Sequence, residues 1–150
     1  MSEYIKKLII YTDGSCLQNP GPGGWACILI YNGVEKRLSG AEPNTTNNRM
    51  ELMAVIKALE ALKEKCEVYI HSDSSYVINA FNNDWLSSWQ AKNWKNSQNK
   101  EVLNRDLWEK LMSLTKKHIV YFVKVKGHSD DEYNNLCDKM ARESASKLKF

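Results

Sequence analysis

Four acidic side chains stand where a folded chain could bring them to one point: Asp13, Glu51, Asp73 and Asp138. Asp13 closes the apolar run Leu8-Ile9-Ile10-Tyr11-Thr12, and Asp73 closes Val68-Tyr69-Ile70-His71-Ser72. Glu51 opens a strongly helical stretch, Asn47-Asn48-Arg49-Met50-Glu51-Leu52-Met53-Ala54, and Asp138 falls on a late helix ten residues after His128. Two strand-end acids become neighbours if their strands are adjacent, and helices packed on the same sheet can add the others. Clustered carboxylates raise one another's pKa unless a cation neutralises them. Oxygen ligands without accompanying Cys or His suit Mg²⁺ or Mn²⁺. The pattern predicts divalent-metal chemistry on phosphates.

Each residue also has a plainer reading. Asp13-Gly14 after a strand is commonly a turn, but no second strand follows in hairpin register and Asp73 repeats the placement, so function is favoured at strand ends. Glu51 alone would complement a helix dipole. Set among Met50, Leu52 and Met53, an unpaired charge there is costly and a metal would compensate it. Asp138 by its position is equally consistent with a ligand and with a solvated helix acid. His128, between a strand and the helix that carries Asp138, has the right pKa range to move protons without binding metal. Asn44-Thr45-Thr46-Asn47-Asn48 suits capping and turn chemistry, and equally anion or sugar binding at a helix N-terminus. Trp85, Trp89 and Trp94 alternate with Lys92, Lys95 and Lys100. Such interleaving favours a nucleic-acid groove over core packing. Lys116, Lys117, Lys124 and Lys126 form a second basic stretch.

The elements that must position these residues follow from periodicity. Six of the seven glycines and all three prolines precede residue 44, so the first third is expected to be turn-rich and β. Leu8 to Thr12 reads as a buried strand, Asn19 to Gly24 as a turn, and Trp25 to Tyr31 as a second strand. Asn32-Gly33 is a type I′ hairpin signal, and the charged return Val34 to Ser39 suits a sheet edge. Leu52, Val55, Ile56, Leu59 and Leu62 then recur at helical spacing, with Thr46 as N-cap and Lys63 and Lys65 at the C-terminal end. Glu67 to Ser72 reads as a fourth strand, Ser74 to Phe81 as a helix, and Val102 to Leu114 as another. Ile119 to Val125 is the fifth strand and Glu132 to Lys147 the last helix. The predicted order β-β-β-α-β-α-α-β-α implies an α/β fold with a mixed sheet flanked by helices.

Composition bounds the rest. A chain of 150 residues, 43% hydrophobic and 26% charged, fits one soluble domain with a real core. No apolar run approaches the roughly 20 residues of a membrane span. The N-terminus lacks a signal-peptide pattern, so a cytoplasmic location and no membrane partner are expected. Cys16, Cys27, Cys66 and Cys137 form no CxxC pair and read as reduced thiols, with Cys27, Cys66 and Cys137 facing inward. A net charge of +3 is only mildly basic.

Taken together, Thr12-Asp13-Gly14-Ser15-Cys16, Asn19-Pro20-Gly21-Pro22-Gly23-Gly24, Thr45-Thr46-Asn47-Asn48-Arg49-Met50-Glu51-Leu52, Ser72-Asp73-Ser74 and Val125-Lys126-Gly127-His128 resemble bacterial type 1 ribonuclease H. The resemblance spans about Lys7 to Ala145. It implies a ribonuclease H-like fold, with three antiparallel strands plus two parallel ones, and residues 1–150 forming one catalytic domain. It implies a monomeric endonuclease that cuts the RNA strand of RNA–DNA hybrids, leaving 5′-phosphate and 3′-hydroxyl ends. Asp13, Glu51, Asp73 and Asp138 match the family's metal ligands, for two Mg²⁺ ions with substrate bound or Mn²⁺ in substitution. His128 matches its loop histidine. Cys16, Asn19, Asn47, Asn48 and Ser75 match positions facing the hybrid, Thr46 and Asn104 a pocket for a DNA-strand phosphate, and Trp85, Trp89 and Trp94 a projecting handle. The loop after His128 reads Ser-Asp-Asp-Glu-Tyr, unlike the Gly, His or Asn, and Pro of many relatives, and the handle is less basic than in strongly hybrid-binding ones. Rival readings are a non-catalytic hybrid-binding module, a DNA-strand transferase and an actin-like ATPase; the last two need additional domains.

Overall fold

In a computed structural model, which describes residues 5–126 and 131–148, the chain forms a five-stranded sheet with helices on both faces. The strands are β1 (Lys6–Cys16), β2 (Gly21–Tyr31), β3 (Val34–Thr45), β4 (Cys66–Ser72) and β5 (Ile119–Lys124). The helices are α1 (Asn47–Glu60), α2 (Ser75–Asn82), α3 (Trp85–Ala91), α4 (Arg105–Thr115) and α5 (Glu132–Ser146). Strand order is β3-β2-β1-β4-β5. β1 pairs antiparallel with β2 and parallel with β4, and β4 pairs parallel with β5, giving the predicted mixed sheet.

Alternation along β1 sends Leu8, Ile10 and Thr12 to one face, where all are buried. There Leu8 and Ile10 join the helical stripe of Leu52, Val55, Ile56 and Leu59 on α1, together with Leu107, Trp108 and Leu111 of α4. Each such side chain contributes about 1.5–3 kcal/mol by leaving water. The opposite face carries a smaller core in which Ala26 and Ile28 pack against Cys137 and Ala141 of α5. Two glycines set how near the helices sit. A Cβ on Gly14 would overlap the α1 backbone at Met50 and Glu51, and one on Gly24 would overlap the α5 backbone at Ala141 and Ala145.

Several sequence boundaries move. β1 continues past Thr12 to Cys16, so Asp13 lies inside a strand. Its pairing with β2 runs to Cys16–Gly23, whereas its pairing with β4 stops at Tyr11–His71. β2 starts at Gly21, within the expected turn, because an irregularity between Gly21 and Gly23 absorbs the change of register. α1 ends at Glu60, short of Lys63 and Lys65, and Lys57 is the basic residue of its last turn. A separate α3 occupies the tryptophan-rich segment. α4 begins only at Arg105, which leaves Leu103 78% exposed despite its helical spacing. The Asn32-Gly33 turn has φ of 50° and 78°, as a primed hairpin turn requires, and β3 is an edge strand. Among the described residues no helix is long and apolar enough to cross a membrane.

Candidate active site

The sheet forks where β1 and β4 part. Beyond Tyr11 and His71 the two strands no longer pair, and Asp13 and Asp73 follow two residues later, on the sides of that opening. α1 closes over it from one face. Thr46 caps α1 by accepting from Arg49 N at 3.2 Å, which fixes the start of the helix at Asn47, one turn before Glu51. The Gly14 N–H donates to Glu51 Oε1, so the close approach permitted by Gly14 is also the bond that holds Glu51. One carboxylate oxygen each from Asp13, Glu51 and Asp73 lies within 4.8 Å of the others.

Asp13 is 4% exposed. Burial raises its pKa first, and the charges of Glu51 and Asp73 raise it further. Glu51 is raised by burial as well, against hydrogen bonds from Asp13, Gly14 and Ser74 that favour its ionised form. Among the described residues no salt bridge reaches Asp13, Glu51 or Asp73. The nearby Lys124 ammonium is committed to the Asp73 main-chain carbonyl and to Ser75 Oγ, the latter at 3.0 Å. A hard-oxygen donor set, mostly buried and without an ion-pair partner among the described residues, fits Mg²⁺ or Mn²⁺.

Asp138 is not among the three whose carboxylate oxygens converge; it stands close enough to Asp13 to help raise that pKa, and its Oδ2 accepts from Arg142 Nε at 3.0 Å one helical turn on. Its side chain is 36% exposed, so it forms the solvent side of the site. His128 lies outside the described residues. Cys137 is buried against the Ala26 carbonyl and burial pushes its thiol pKa upward, which leaves it inert. All four cysteines are free thiols.

The remaining predicted contacts form a polar rim. Cys16 Sγ points at the carbonyls of Gln18, Gly21 and Thr45, and Asn19 Oδ1 accepts from Asn47 N at 3.2 Å, tying the β1–β2 connection to the start of α1. Asn47, Asn48 and Ser75 are exposed. Thr46 and Asn104 are joined through Arg49, whose Nη1 donates to Asn104 Oδ1 at 3.2 Å.

The tryptophans divide between surface and core. Trp85 is 38% exposed, Trp89 is half-buried and Trp94 is 6% exposed within the main core. Ring centroids step from Trp85 to Trp89 at 6.2 Å, from Trp89 to Trp94 at 6.3 Å and from Trp89 to fully buried Trp108 at 5.5 Å. The expectation that all three face a groove does not match this ladder: Trp94 supports, and Trp85 faces solvent beside Lys92 and Lys95.

Sequence reasoning passed over several residues that build the site. Ser74 caps α2 by accepting from Val77 N and lies near enough to Glu51 to favour its ionised form; its place directly after Asp73 and before a helical run is the signal for a cap. Arg142 is visible as the i+4 cation of Asp138. Arg49 carries no sequence signal for its partners, which lie 55 and 57 positions away.

The RNase H family pattern matches residues 5–146. Ribonuclease H of Thermoanaerobacter sp. (strain X514) is 56% identical over 147 residues, covering 98% of this chain and 95% of the relative. Ribonuclease H of Caldanaerobacter subterraneus subsp. tengcongensis is 58% identical over 138 residues, covering 92% and 90%. Among solved structures, LC9-RNase H1, a type 1 RNase H with the type 2 active-site motif, superposes with a TM-score of 0.86 at 27% identity, covering 99% of this chain and 76% of that one. LC11-RNase H1 in complex with RNA/DNA hybrid superposes with a TM-score of 0.73 at 25% identity, covering 93% and 97%. The fold and the carboxylate cluster are those of a nuclease. The chain belongs to the RNase H family.

Proposed function

We propose that residues 1–150 act as one endonuclease domain that hydrolyses the RNA strand of RNA–DNA hybrids with Mg²⁺, leaving 5′-phosphate and 3′-hydroxyl ends and reading little base sequence. The observation that carries this reading is the convergence of three carboxylates that no salt bridge among the described residues neutralises. Support comes from a relative of the same fold solved with an RNA/DNA hybrid.

Asp13, Glu51, Asp73 and Asp138 would hold the divalent ions, with Mn²⁺ as a possible substitute. Such ions, when bound, activate an attacking water and stabilise the leaving oxygen of an in-line displacement. The protein's own part is positional. Asp13 and Glu51 give up protons as the site loads, because a ligand carboxylate must be ionised. Glu51, fixed by the Gly14 N–H, and the neighbouring Asn47 and Asn48 amides face the minor-groove side of the RNA strand, where a 2′-hydroxyl distinguishes RNA from DNA. Cys16, Asn19 and Ser75 line the same path. Thr46 and Asn104 receive a DNA-strand phosphate, and Trp85, with Trp89 and Trp94 behind it, stacks on the DNA strand. Contacts of this kind read backbone and shape rather than bases. His128 moves the proton of the leaving group or assists product release.

Cleavage of a strand-labelled RNA–DNA hybrid, with and without Mg²⁺, beside matched RNA–RNA and DNA–DNA duplexes, tests the reading. Metal-dependent cutting confined to the RNA of the hybrid is expected. Hybrid binding by folded protein without cutting in Mg²⁺ or Mn²⁺ would replace the enzyme with a binding module.

A further inference from the structure

Tyr76, on α2, accepts two hydrogen bonds at its hydroxyl oxygen. Asn104 Nδ2 donates at 3.0 Å and Trp108 Nε1 donates at 3.0 Å. Neither nitrogen can accept, so the hydroxyl is the acceptor in both. At the other end of the same amide, Asn104 Oδ1 accepts from Arg49 Nη1 at 3.2 Å, and a guanidinium only donates. The Asn104 amide is therefore oriented at both ends, oxygen toward Arg49 and nitrogen toward Tyr76, with one N–H of Nδ2 left over. Arg49 is itself clamped by Asp106 through bonds of 3.1 and 2.9 Å. Asn104 sits in the left-handed region at φ 64° just before α4, and its side chain makes no capping bond to that helix. An asparagine at this position commonly caps, so its side chain is committed instead to the bridge between α1 and α2.

We propose that Tyr76 is a positioning residue for substrate binding: its hydroxyl holds the Asn104 amide so that the spare N–H meets a phosphate oxygen of the DNA strand. This rests on the reading of Thr46 and Asn104 as a phosphate pocket. Without the hydroxyl the amide is held at its oxygen end alone, by Arg49, its last torsion is less restricted, and the cost of ordering the nitrogen end falls on binding. The chemical step at the carboxylates is untouched, because Tyr76 makes no contact with them.

Tyr76→Phe also strands the indole N–H of Trp108, which is fully buried, so some stability is lost with the bond. Trp108→Phe separates the two effects: it removes the indole donor and keeps the Tyr76–Asn104 bond. Steady-state cleavage is compared for the parent, Tyr76→Phe, Trp108→Phe and Asn104→Ala, alongside melting curves. Tyr76→Phe is expected to raise KM about three- to tenfold, the worth of one neutral hydrogen bond. Its kcat should stay within about twofold, as for a group that contributes binding alone. Trp108→Phe should melt earlier with KM unchanged. A set of hybrids carrying one neutral methylphosphonate linkage, moved along the DNA strand, then locates the contact. Tyr76→Phe and Asn104→Ala should both become indistinguishable from the parent at one shared linkage. If Asn104→Ala shows that linkage and Tyr76→Phe does not, the positioning role is overturned. If Asn104→Ala shows no such linkage, the phosphate pocket itself is lost and the role of Tyr76 with it.

Discussion

The carboxylate fork and the tryptophan segment both hold groups in arrangements a free chain would not choose, and they do so by different means. At the fork the backbone is regular: β1, β4 and α1 carry ordinary strand and helix bonds, and the tension is electrostatic, in carboxyls whose pKa burial has raised. Between Asp84 and Asn104 the side chains are mostly neutral and the unusual feature is the backbone. Asp84, Asn93, Trp94, Asn99 and Asn104 all lie in the left-handed region, at φ 57°, 54°, 61°, 61° and 64°. A bulky residue such as Trp94 is rarely found there, and it persists only where its surroundings over-determine it. Trp94 is held by a bond from its own N–H to Trp89 O at 2.6 Å and by one from Val102 N to its carbonyl at 2.8 Å, with its ring in the core. A bound cation relieves the tension of the first region, whereas only packing sustains the second. Charge and metal should act on one, and side-chain truncation on the other.

The sharpest break of that comparison is Asp13→Asn. Cleavage should fall by about three orders of magnitude or more, since several kcal/mol of charge stabilisation is lost. Metal-free stability near neutral pH should rise, by about 1–3 kcal/mol, because the amide folds without the proton uptake that the raised pKa of Asp13 imposes. Hybrid cleavage and thermal melting in chelator measure the two; near-normal activity would remove Asp13 from the metal site. Trp94→Ala is the counterpart in the other region. It should cost about 3–5 kcal/mol of stability, as for large core truncations. Trp85→Ala should leave stability nearly unchanged and raise KM for hybrid roughly 5- to 100-fold through lost stacking. Equal melting losses for the two variants would mean that the ladder has no surface end.

The two regions also differed in how far the sequence disclosed them. The fork was readable because its parts are local and periodic. Apolar runs gave β1 and β4, the i, i+3, i+4 spacing of Leu52, Val55, Ile56 and Leu59 gave α1, and acids stood at interruptions of those patterns. What stayed hidden there was three-dimensional: the extension of β1 through Asp13 into a fork, the approach allowed by Gly14, and the cross-chain clamp of Arg49 by Asp106. In the tryptophan segment the periodicity itself misled. Trp85 and Trp89 at i, i+4 do share a helix, but the left-handed residues after it turn Trp94 back into the core, and nothing in residue order marks a tryptophan for that conformation. Val102 and Leu103 continue the spacing of Leu107 and Leu111 yet precede α4, because Asn104 interrupts the helix.

A pH series in chelator sharpens the electrostatic half. The folded-state pKa values of Asp13 and Glu51 are raised above their unfolded values. Below the ordinary carboxylate range both states hold these protons and folding carries no penalty. Above it the native state retains protons that the unfolded chain has lost, so stability falls as pH rises, by at most about 1.4 kcal/mol per pH unit for each proton retained. Saturating Mg²⁺ should flatten the slope and release protons on binding. Denaturant midpoints from pH 4 upward, with and without metal, give the slope directly. A metal-free profile as flat as that of Asp13→Asn would mean that the protein already compensates these charges internally.

The smallest expected effect lies in the irregular region and separates conformation from packing. Asn93 has φ 54°, immediately before Trp94. Asn93→Gly removes the steric cost of a Cβ there but adds freedom to the unfolded chain, and asparagine tolerates the left-handed region well. The two changes nearly cancel, so stability should shift by less than about 0.5 kcal/mol. KM for hybrid should not change, because the tryptophan ladder rather than the turn fixes where Trp85 points. A rise in KM at unchanged stability would show that the conformation of this one turn aims the exposed ring, and the segment would then have to be understood as a backbone device instead of an aromatic stack.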